Sequence, residues 1–479
     1  MRTEGTMAML LKVLAVILGT TLLAGPVRAA GSEPASVNKS IINPYQMYTY
    51  NLMMQQIDQL ASAYPELIEV KSIGRTVFGR DIQAVKLGKG EANVLIDGSQ
   101  HAREWLGTNL ILYLIDRYAY AYENQVNYDE YNVSDILDHC SIWFVPMVNP
   151  DGVALQQEGL SAFPDFWQAS LIGMNGNSDS FKHWKANAQG VDINRQYPAV
   201  WSDIRNSPGY PMFKNFKGWE PAQTAEAISM IQFTYEIDPE IAFSYHTSGR
   251  VLYWHFNTPP EHLARDKKIA NAISAMTGYG QVKPEKNPSG GGFTDWFIMQ
   301  FGRPGFTAEL GPYHAENELP LWTFADVWEE NKNMGLYLAA EGYRLWQERY
   351  PIERVEVKIQ LLEDVQLYNR PDESTPVGAK LNGAKLVADA RLGEWYRVPT
   401  WLGPKWIRPQ PTAYLQGHSE PYAKRIKLTD KTPIYSSPKA EESLALAELH
   451  SQEVDALERW NDWILIKTWL GSNWIKEKN

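Results

Sequence analysis

The chain has 479 residues, of which 44% are hydrophobic and 21% charged, and its 45 Lys and Arg face 56 Asp and Glu for a net charge of −11. That length suggests two or three domains with cores of their own. Residues 355–479 hold 17 basic and 17 acidic side chains, so the whole excess, 28 basic against 39 acidic, lies before them; this argues against nucleic acid as substrate or partner, because phosphate binding needs an excess of Lys and Arg.

In chain order, Arg2 and Lys12 precede an apolar run over residues 13–23, and Pro26-Val27-Arg28-Ala29-Ala30 supplies small residues for cleavage. Residues 1–29 therefore read as a signal peptide, since the run falls short of the ~20 residues of a membrane span. No later stretch is apolar enough to span a bilayer, so no membrane contact is expected after cleavage. The one cysteine, Cys140, rules out an intramolecular disulfide and reads as a small buried hydrophobe. A secreted chain without disulfides fits a bacterial exporter.

A mobile polar stretch is expected at residues 31–34. Met53, Ile57, Leu60, Ala61 and Tyr64 have helical spacing, and Pro65 ends the run. Strands are predicted at 68–73, 82–87 and 93–97, a long helix at 106–122, and a strand at 142–148 running into the turn Asn149-Pro150-Asp151-Gly152. Further helices are predicted over 221–237, with Pro221 at the first helical position, and over 324–350, before Pro351.

His101 and Glu104 sit where the 93–97 strand meets the following helix, and active sites of open α/β sheets gather at such junctions. Zinc accepts both ligand types at about 2.0–2.2 Å. The pair alone fits a solvated helix start better, its Glu placed favourably near the helix dipole. His246 ends the apolar strand 241–246 and could supply a third ligand or be a hydrogen-bonded core histidine. Glu309 ends a third apolar run, 305–310, and tips the balance toward a metal site with an open water position.

The ordered motifs His-Ala-Arg-Glu-Trp (from His101), Asn-Pro-Asp-Gly (from Asn149), Gly-Val-Asp-Ile-Asn-Arg (from Gly190), Tyr-His-Thr-Ser-Gly (from Tyr245), Gly-Gly-x-x-Asp-Trp (from Gly291) and Phe-Thr-Ala-Glu (from Phe306) resemble the zinc metallocarboxypeptidase family. The resemblance implies an α/β domain with a mixed central sheet flanked by helices, over residues 30–350. It implies one Zn2+ per chain on His101, Glu104 and His246, with Glu309 as general base. Asn194 and Arg195 would bind a substrate carboxylate, and Thr294 would line the floor of the specificity pocket. Where digestive members carry an oxyanion-stabilising Arg, this chain has Lys185, a point charge and not a planar fork. No Tyr stands at Lys286-Asn287-Pro288, where many members place a substrate-capping one, and Tyr279 is not assigned that role. Trp-Lys-Ala-Asn-x-x-Gly-Val-Asp, from Trp184, and Ser-Gly-Arg-Val-Leu-Tyr-Trp, from Ser248, resemble bacterial γ-D-glutamyl-diaminopimelate peptidases, which cut peptidoglycan stem peptides.

The tail repeats itself at a spacing of 68 residues between Trp395 and Trp463. Each unit alternates short strands with turns, the mark of a small β-barrel. Residues 355–409 and 422–479 resemble bacterial SH3-like modules, joined by a linker over 410–421. Trp395 and Trp463 read as barrel core, while Trp401 and Trp469 are candidates for glycan or peptide stacking. The expectation is thus a secreted, cell-wall-associated bacterial metallopeptidase, bound to the wall through its modules and acting on stem peptides. Its alternatives are a general carboxypeptidase for ordinary peptide C-termini and an inert wall-binding protein.

Overall fold

A computed structural model describes residues 40–286, 288–373, 375–381, 383–428, 431–440 and 444–477. The expected signal peptide and residues 31–34 lie outside the described residues.

The catalytic region is built on eight strands: β1 (Ile68–Arg75), β2 (Asp81–Leu87), β3 (Ala92–Gly98), β4 (Cys140–Val145), β5 (Ile241–Thr247), β6 (Val251–Tyr253), β7 (Gly280–Gln281) and β8 (Gly305–Leu310). They form one mixed sheet in the order β1-β2-β4-β3-β5-β8-β6-β7. The central neighbours β4, β3, β5 and β8 run parallel; β1 and β2 pair antiparallel with their neighbours, and β6 is antiparallel to β8 but parallel to β7. β4 is buried at every residue, and β5 at all but its last, because helices cover both faces; near-continuous apolar sequence is what such strands require. The helices Leu106–Glu123 and Met334–Arg349 pack on one face, with Leu110, Ile111, Leu114, Leu338 and Leu345 in its core. The helices Ala225–Ile237 and Phe293–Phe301 cover the other, through Met230, Phe233, Phe293 and Phe297. Cys140 is fully buried in β4, and burial pushes its thiol pKa up.

Two helix boundaries differ from the sequence expectation. The helix expected from Pro221 begins at Ala225, because the Thr224 hydroxyl accepts from Ala227 N at 3.3 Å and caps it. Ahead of it, the Gln196 side-chain oxygen takes the N–H groups of Gln223 and Thr224 at 2.8 and 3.1 Å. The helix expected over 324–350 is split into Phe324–Asn331 and Met334–Arg349. Between them the Tyr118 hydroxyl donates to Lys332 O at 2.7 Å and accepts from Gly335 N at 3.2 Å, intercepting the helical ladder.

Asn149 caps the helix Pro150–Glu158 by accepting from Gly152 N at 2.9 Å. Its amide also donates to Gln100 O and Ala186 O, each at 3.1 Å, so the turn ties together two site loops. A Cβ on Gly152 would lie 2.5 Å from Ala186 O, which explains the glycine.

The C-terminal region is antiparallel throughout. β9 (Glu353–Leu361), β10 (Val365–Tyr368), β11 (Pro376–Leu381), β12 (Lys385–Leu392), β13 (Trp395–Val398), β14 (Lys405–Ile407) and β15 (Tyr414–Gln416) form one sheet. β16 (Glu420–Lys427), β19 (Glu453–Trp460), β20 (Trp463–Thr468) and β21 (Gly471–Lys476) form another, beside the pair β17 (Thr432–Ile434) and β18 (Ala447–Leu449). Both are consistent with SH3-like modules. β15 lies in the stretch read as linker, yet it pairs with β9. The first sheet meets the catalytic region at the amino ends of its parallel strands: Arg397 reaches Glu91 at 3.2 Å, and Arg370 donates to Ile237 O at 3.1 Å.

Candidate active site

The carboxyl ends of β3, β5 and β8 lie side by side, with His246 and Glu309 direct register partners. The chain leaving β3 turns through a short helix, Ala102–Glu104, and this brings His101 and Glu104 back over the strand ends. The three donor groups converge. His101 Nδ1 lies 3.0 Å from His246 Nδ1 and 3.0 Å from Glu104 Oε1, while Glu104 Oε2 lies 2.8 Å from His246 Nδ1. All three residues are buried.

This donor set fits a divalent cation. The far nitrogen of His101, Nε2, donates to Asp192 Oδ1 at 3.0 Å, which fixes the tautomer and turns the Nδ1 lone pair inward. An imidazole lone pair, a second ring nitrogen and a carboxylate, meeting at one buried point, are the ligands a catalytic zinc takes from protein. Burial pushes the Glu104 carboxyl up, but the two histidines outweigh it and hold it well below the usual range.

A cavity of about 360 Å³ opens beside this point, lined by His101, Lys185, Asn194, Arg195, His246, Thr294 and Glu309 among others. The structure thus gathers the catalytic, substrate-binding and metal candidates of the 30–350 region at one place, with Glu104 Oε2 2.8 Å from His246 Nδ1. Burial raises the Glu309 carboxyl to about 7; the Glu104 charge adds to this, and His246, Lys185 and Arg103 pull against it. Such a carboxyl can accept and return a proton near neutral pH. Asn194 lies with its amide nitrogen 3.4 Å from His246 Nε2 and its oxygen accepting from Phe293 N at 2.9 Å. Thr294 Oγ1 is 2.7 Å from Thr307 Oγ1. Arg103 braces the site, donating to His183 O at 3.1 Å.

Asp192, the acid of the Gly-Val-Asp-Ile-Asn-Arg motif, carries no expected role from the sequence. It is fully buried and faces three site residues: His101, Lys185 Nζ at 3.2 Å and Arg195 Nε at 3.5 Å. Burial raises its pKa, but Lys185, His101 and Arg195 overcome this and hold it ionised well below the usual range. Tyr253, also passed over, lies opposite Thr307 on β6 and lines the cavity wall. No sequence signal marks it, because its place rests on the pairing of Val251 with Glu309 across β6 and β8. Tyr279 is buried, its hydroxyl bonded to Glu330 and Asn331 at 3.0 Å, and has no place in the cavity.

The family model described as zinc carboxypeptidase, Peptidase M14, matches residues 53–334. The gamma-D-glutamyl-L-diamino acid endopeptidase 1 of Lysinibacillus sphaericus is 34% identical over 302 residues, covering 62% of this chain and 73% of that protein. Carboxypeptidase B of Astacus astacus is 26% identical over 288 residues, covering 55% and 86%. Among solved structures, bovine thrombin-activatable fibrinolysis inhibitor in complex with tick carboxypeptidase inhibitor matches with a TM-score of 0.50 at 17% identity, covering 63% of this chain and 99% of that one.

Proposed function

Because this chain belongs to the zinc carboxypeptidase family, and is a zinc metallopeptidase, we propose that it hydrolyses the γ-D-glutamyl-diaminopimelate bond of peptidoglycan stem peptides. The observation that carries the hydrolytic reading is the convergence of Glu309 and Lys185 on the cavity beside His101, Glu104 and His246. The stem-peptide reading is supported by the likeness to the gamma-D-glutamyl-L-diamino acid endopeptidase 1 of Lysinibacillus sphaericus. His101, Glu104 and His246 would hold the zinc, which would supply Lewis-acid chemistry there.

The chain's own residues do the rest. The Glu309 carboxylate accepts a proton from the attacking water as its oxygen bonds to the carbonyl carbon. The C–N bond then breaks, and the same carboxyl returns the proton to the leaving amine. The Lys185 ammonium stabilises the negative charge on the carbonyl oxygen as a fixed point charge. Asp192 holds Lys185, Arg195 and His101 in place together. The Arg195 guanidinium, with Asn194 beside it, receives a substrate carboxylate, and Thr294 lines the side-chain pocket.

We further propose secretion after removal of residues 1–29 and wall attachment through the tail. Trp401 and Trp469 are each 66% exposed, at matching hairpin tips. In one, the Thr400 hydroxyl holds Leu402 N at 3.1 Å; in the other, Thr468 holds Leu470 N at 3.1 Å. Two exposed Trp-Leu tips built alike suit stacking on a repeating wall polymer. Trp395 is buried, and Trp463 packs edge-on against Tyr435 at 5.3 Å. The first module meets the catalytic region at the amino edge of the sheet, opposite the cavity at its carboxyl edge.

The test is mass spectrometry of L-Ala-γ-D-Glu-meso-diaminopimelate, with and without a D-Ala extension, beside an ordinary C-terminal peptide. Release of diaminopimelate or its D-Ala dipeptide is expected, and loss of that release in Glu309→Gln. Cleavage of the ordinary peptide alone would replace this reading with a general carboxypeptidase. Cleavage of neither would favour an inert wall-binding protein.

A further inference from the structure

The loop that follows the general base carries a carboxylate of its own. Beyond Glu309, Gly311 O accepts from Gly249 N at 3.1 Å, and His314 N donates to Ser248 Oγ at 2.8 Å. These bonds lay the loop along the chain that leaves β5 just past His246. Two residues further on, Glu316 meets Lys214, whose ammonium donates to both carboxylate oxygens at 2.7 Å. The Lys214 bond, helped by the charges of Arg103 and Lys185 against the pull of burial, holds the Glu316 carboxyl below the usual range.

Lys214 is placed by the segment that carries Lys185. The N–H groups of Lys185 and Ala186 donate to Phe213 O at 2.9 and 3.0 Å, and the Lys214 ammonium lies 5.2 Å from the centre of the Phe213 ring. His183 Nδ1 donates to Glu316 O at 3.1 Å, which ties the loop to the same segment. Arg103 is committed elsewhere, donating to His183 O at 3.1 Å and standing 3.9 Å from Glu316. Among the described residues, Lys214 is therefore the cation bonded directly to this carboxylate. Neither Lys214 nor Glu316 lines the cavity of Arg195 and Thr294. With the leaving group running toward Arg195, the acyl group of a substrate runs toward the other neighbours of Lys185, which are these two.

The chemistry of a γ-linkage supplies an occupant. A γ-linked glutamyl residue keeps its α-carboxylate free, four carbon–carbon bonds of about 1.5 Å from the scissile carbonyl carbon, or roughly 5 Å away when extended. In an ordinary α-linkage that carboxyl is itself the scissile carbonyl. Glu316 shows that a carboxylate fits on Lys214. The two side chains are 54% and 28% exposed, so the pair is weak enough for a substrate carboxylate to replace Glu316.

We propose that Lys214 is a specificity-determining residue that exchanges Glu316 for the free α-carboxylate of a γ-linked glutamyl residue on the acyl side of the scissile bond. This rests on the γ-glutamyl reading above. Its test compares L-Ala-γ-D-Glu-meso-diaminopimelate with the same tripeptide carrying a carboxamide in place of the α-carboxylate, using the zinc-loaded full chain. The amide keeps the shape and lacks the charge. The wild type is expected to favour the acid by at least about fivefold in kcat/KM. Lys214→Met should bring the two within about twofold by slowing the acid alone, and Lys214→Arg should keep the preference. Glu316→Gln should lower KM for the acid and leave the amide unchanged. Calorimetric binding of L-Ala-D-Glu against L-Ala-D-isoglutamine reads the same contact without turnover. Equal turnover and equal binding of acid and amide in the wild type overturns the proposal and leaves the γ-glutamyl reading standing, whether or not the variants fold. An equal loss on both tripeptides in Lys214→Met, as a merely structural role would give, also overturns it. Hydrolysis of neither tripeptide, with an ordinary C-terminal peptide cut, overturns the γ-glutamyl reading and the proposal with it.

Discussion

Replacing Asp192 with Asn tests how one buried carboxylate organises the site. Asn keeps the shape and an acceptor oxygen, so His101 Nε2 at 3.0 Å can still donate. What is lost is the charge facing Lys185 at 3.2 Å and Arg195 at 3.5 Å, whose side chains are only 17% and 22% exposed. Stripping the partner from a buried ion pair costs about 3–5 kcal/mol; partial exposure of both cations places this variant near about 3 kcal/mol. Weakening the carboxylate behind a ligand histidine lowers metal affinity by about 10–100-fold. We therefore expect a destabilisation of about 3 kcal/mol by urea unfolding, a drop of at least about tenfold in zinc affinity by chelator competition, and a fall in kcat larger than any rise in KM. Zinc affinity and kcat/KM both unchanged in Asp192→Asn would refute the reasoning, because among the described residues no other acid bonds to His101 Nε2.

Three further outcomes are expected. Lys185→Ala should lower kcat by about 10²–10³ with KM little changed, and Lys185→Arg should restore part of it, measured by steady-state kinetics on the tripeptide. Glu226, raised by burial from 4.5 to about 7, is protonated in the folded chain at low pH; its contribution to stability is complete below pH 4.5 and lost as pH rises through 7. Glu226→Gln should therefore exceed the wild type by up to about 3 kcal/mol at pH 8 and match it near pH 4, measured by urea unfolding. Trp401→Ala with Trp469→Ala should reduce co-sedimentation with purified cell walls and leave hydrolysis of the soluble tripeptide unchanged.

Much of the site was legible because it is carried by strand ends. An apolar run that stops at a polar residue marks the rim of a buried parallel sheet, and His246 and Glu309 each end such a run. His101 and Glu104 lie where an apolar strand gives way to a long helical run. What stayed hidden depends on residues distant in sequence. Asp192 acquires its role only when the 190–195 loop brings it under both His101 and Lys185. Tyr253 depends on the pairing of β6 with β8. The helix boundaries failed for the same reason. Local propensity favoured a start at Pro221, whereas Gln196, some 25 residues earlier in the chain, holds Gln223 and Thr224 in an extended cap. Likewise nothing within residues 324–350 announces that Tyr118 breaks the helix there. The repeat of the tail was visible in its tryptophans, but β15 completes its sheet from within the apparent linker.

The central claim is that Glu309 moves the proton at a site whose metal is held by His101, Glu104 and His246. The most direct test measures zinc content and tripeptide turnover together in Glu309→Gln and His246→Ala. The account predicts that Glu309→Gln binds zinc as the wild type does, one per chain, yet loses at least about 10²-fold in kcat, whereas His246→Ala loses both zinc and turnover. Glu309→Gln turning over at the wild-type rate, or His246→Ala retaining its zinc, would contradict it.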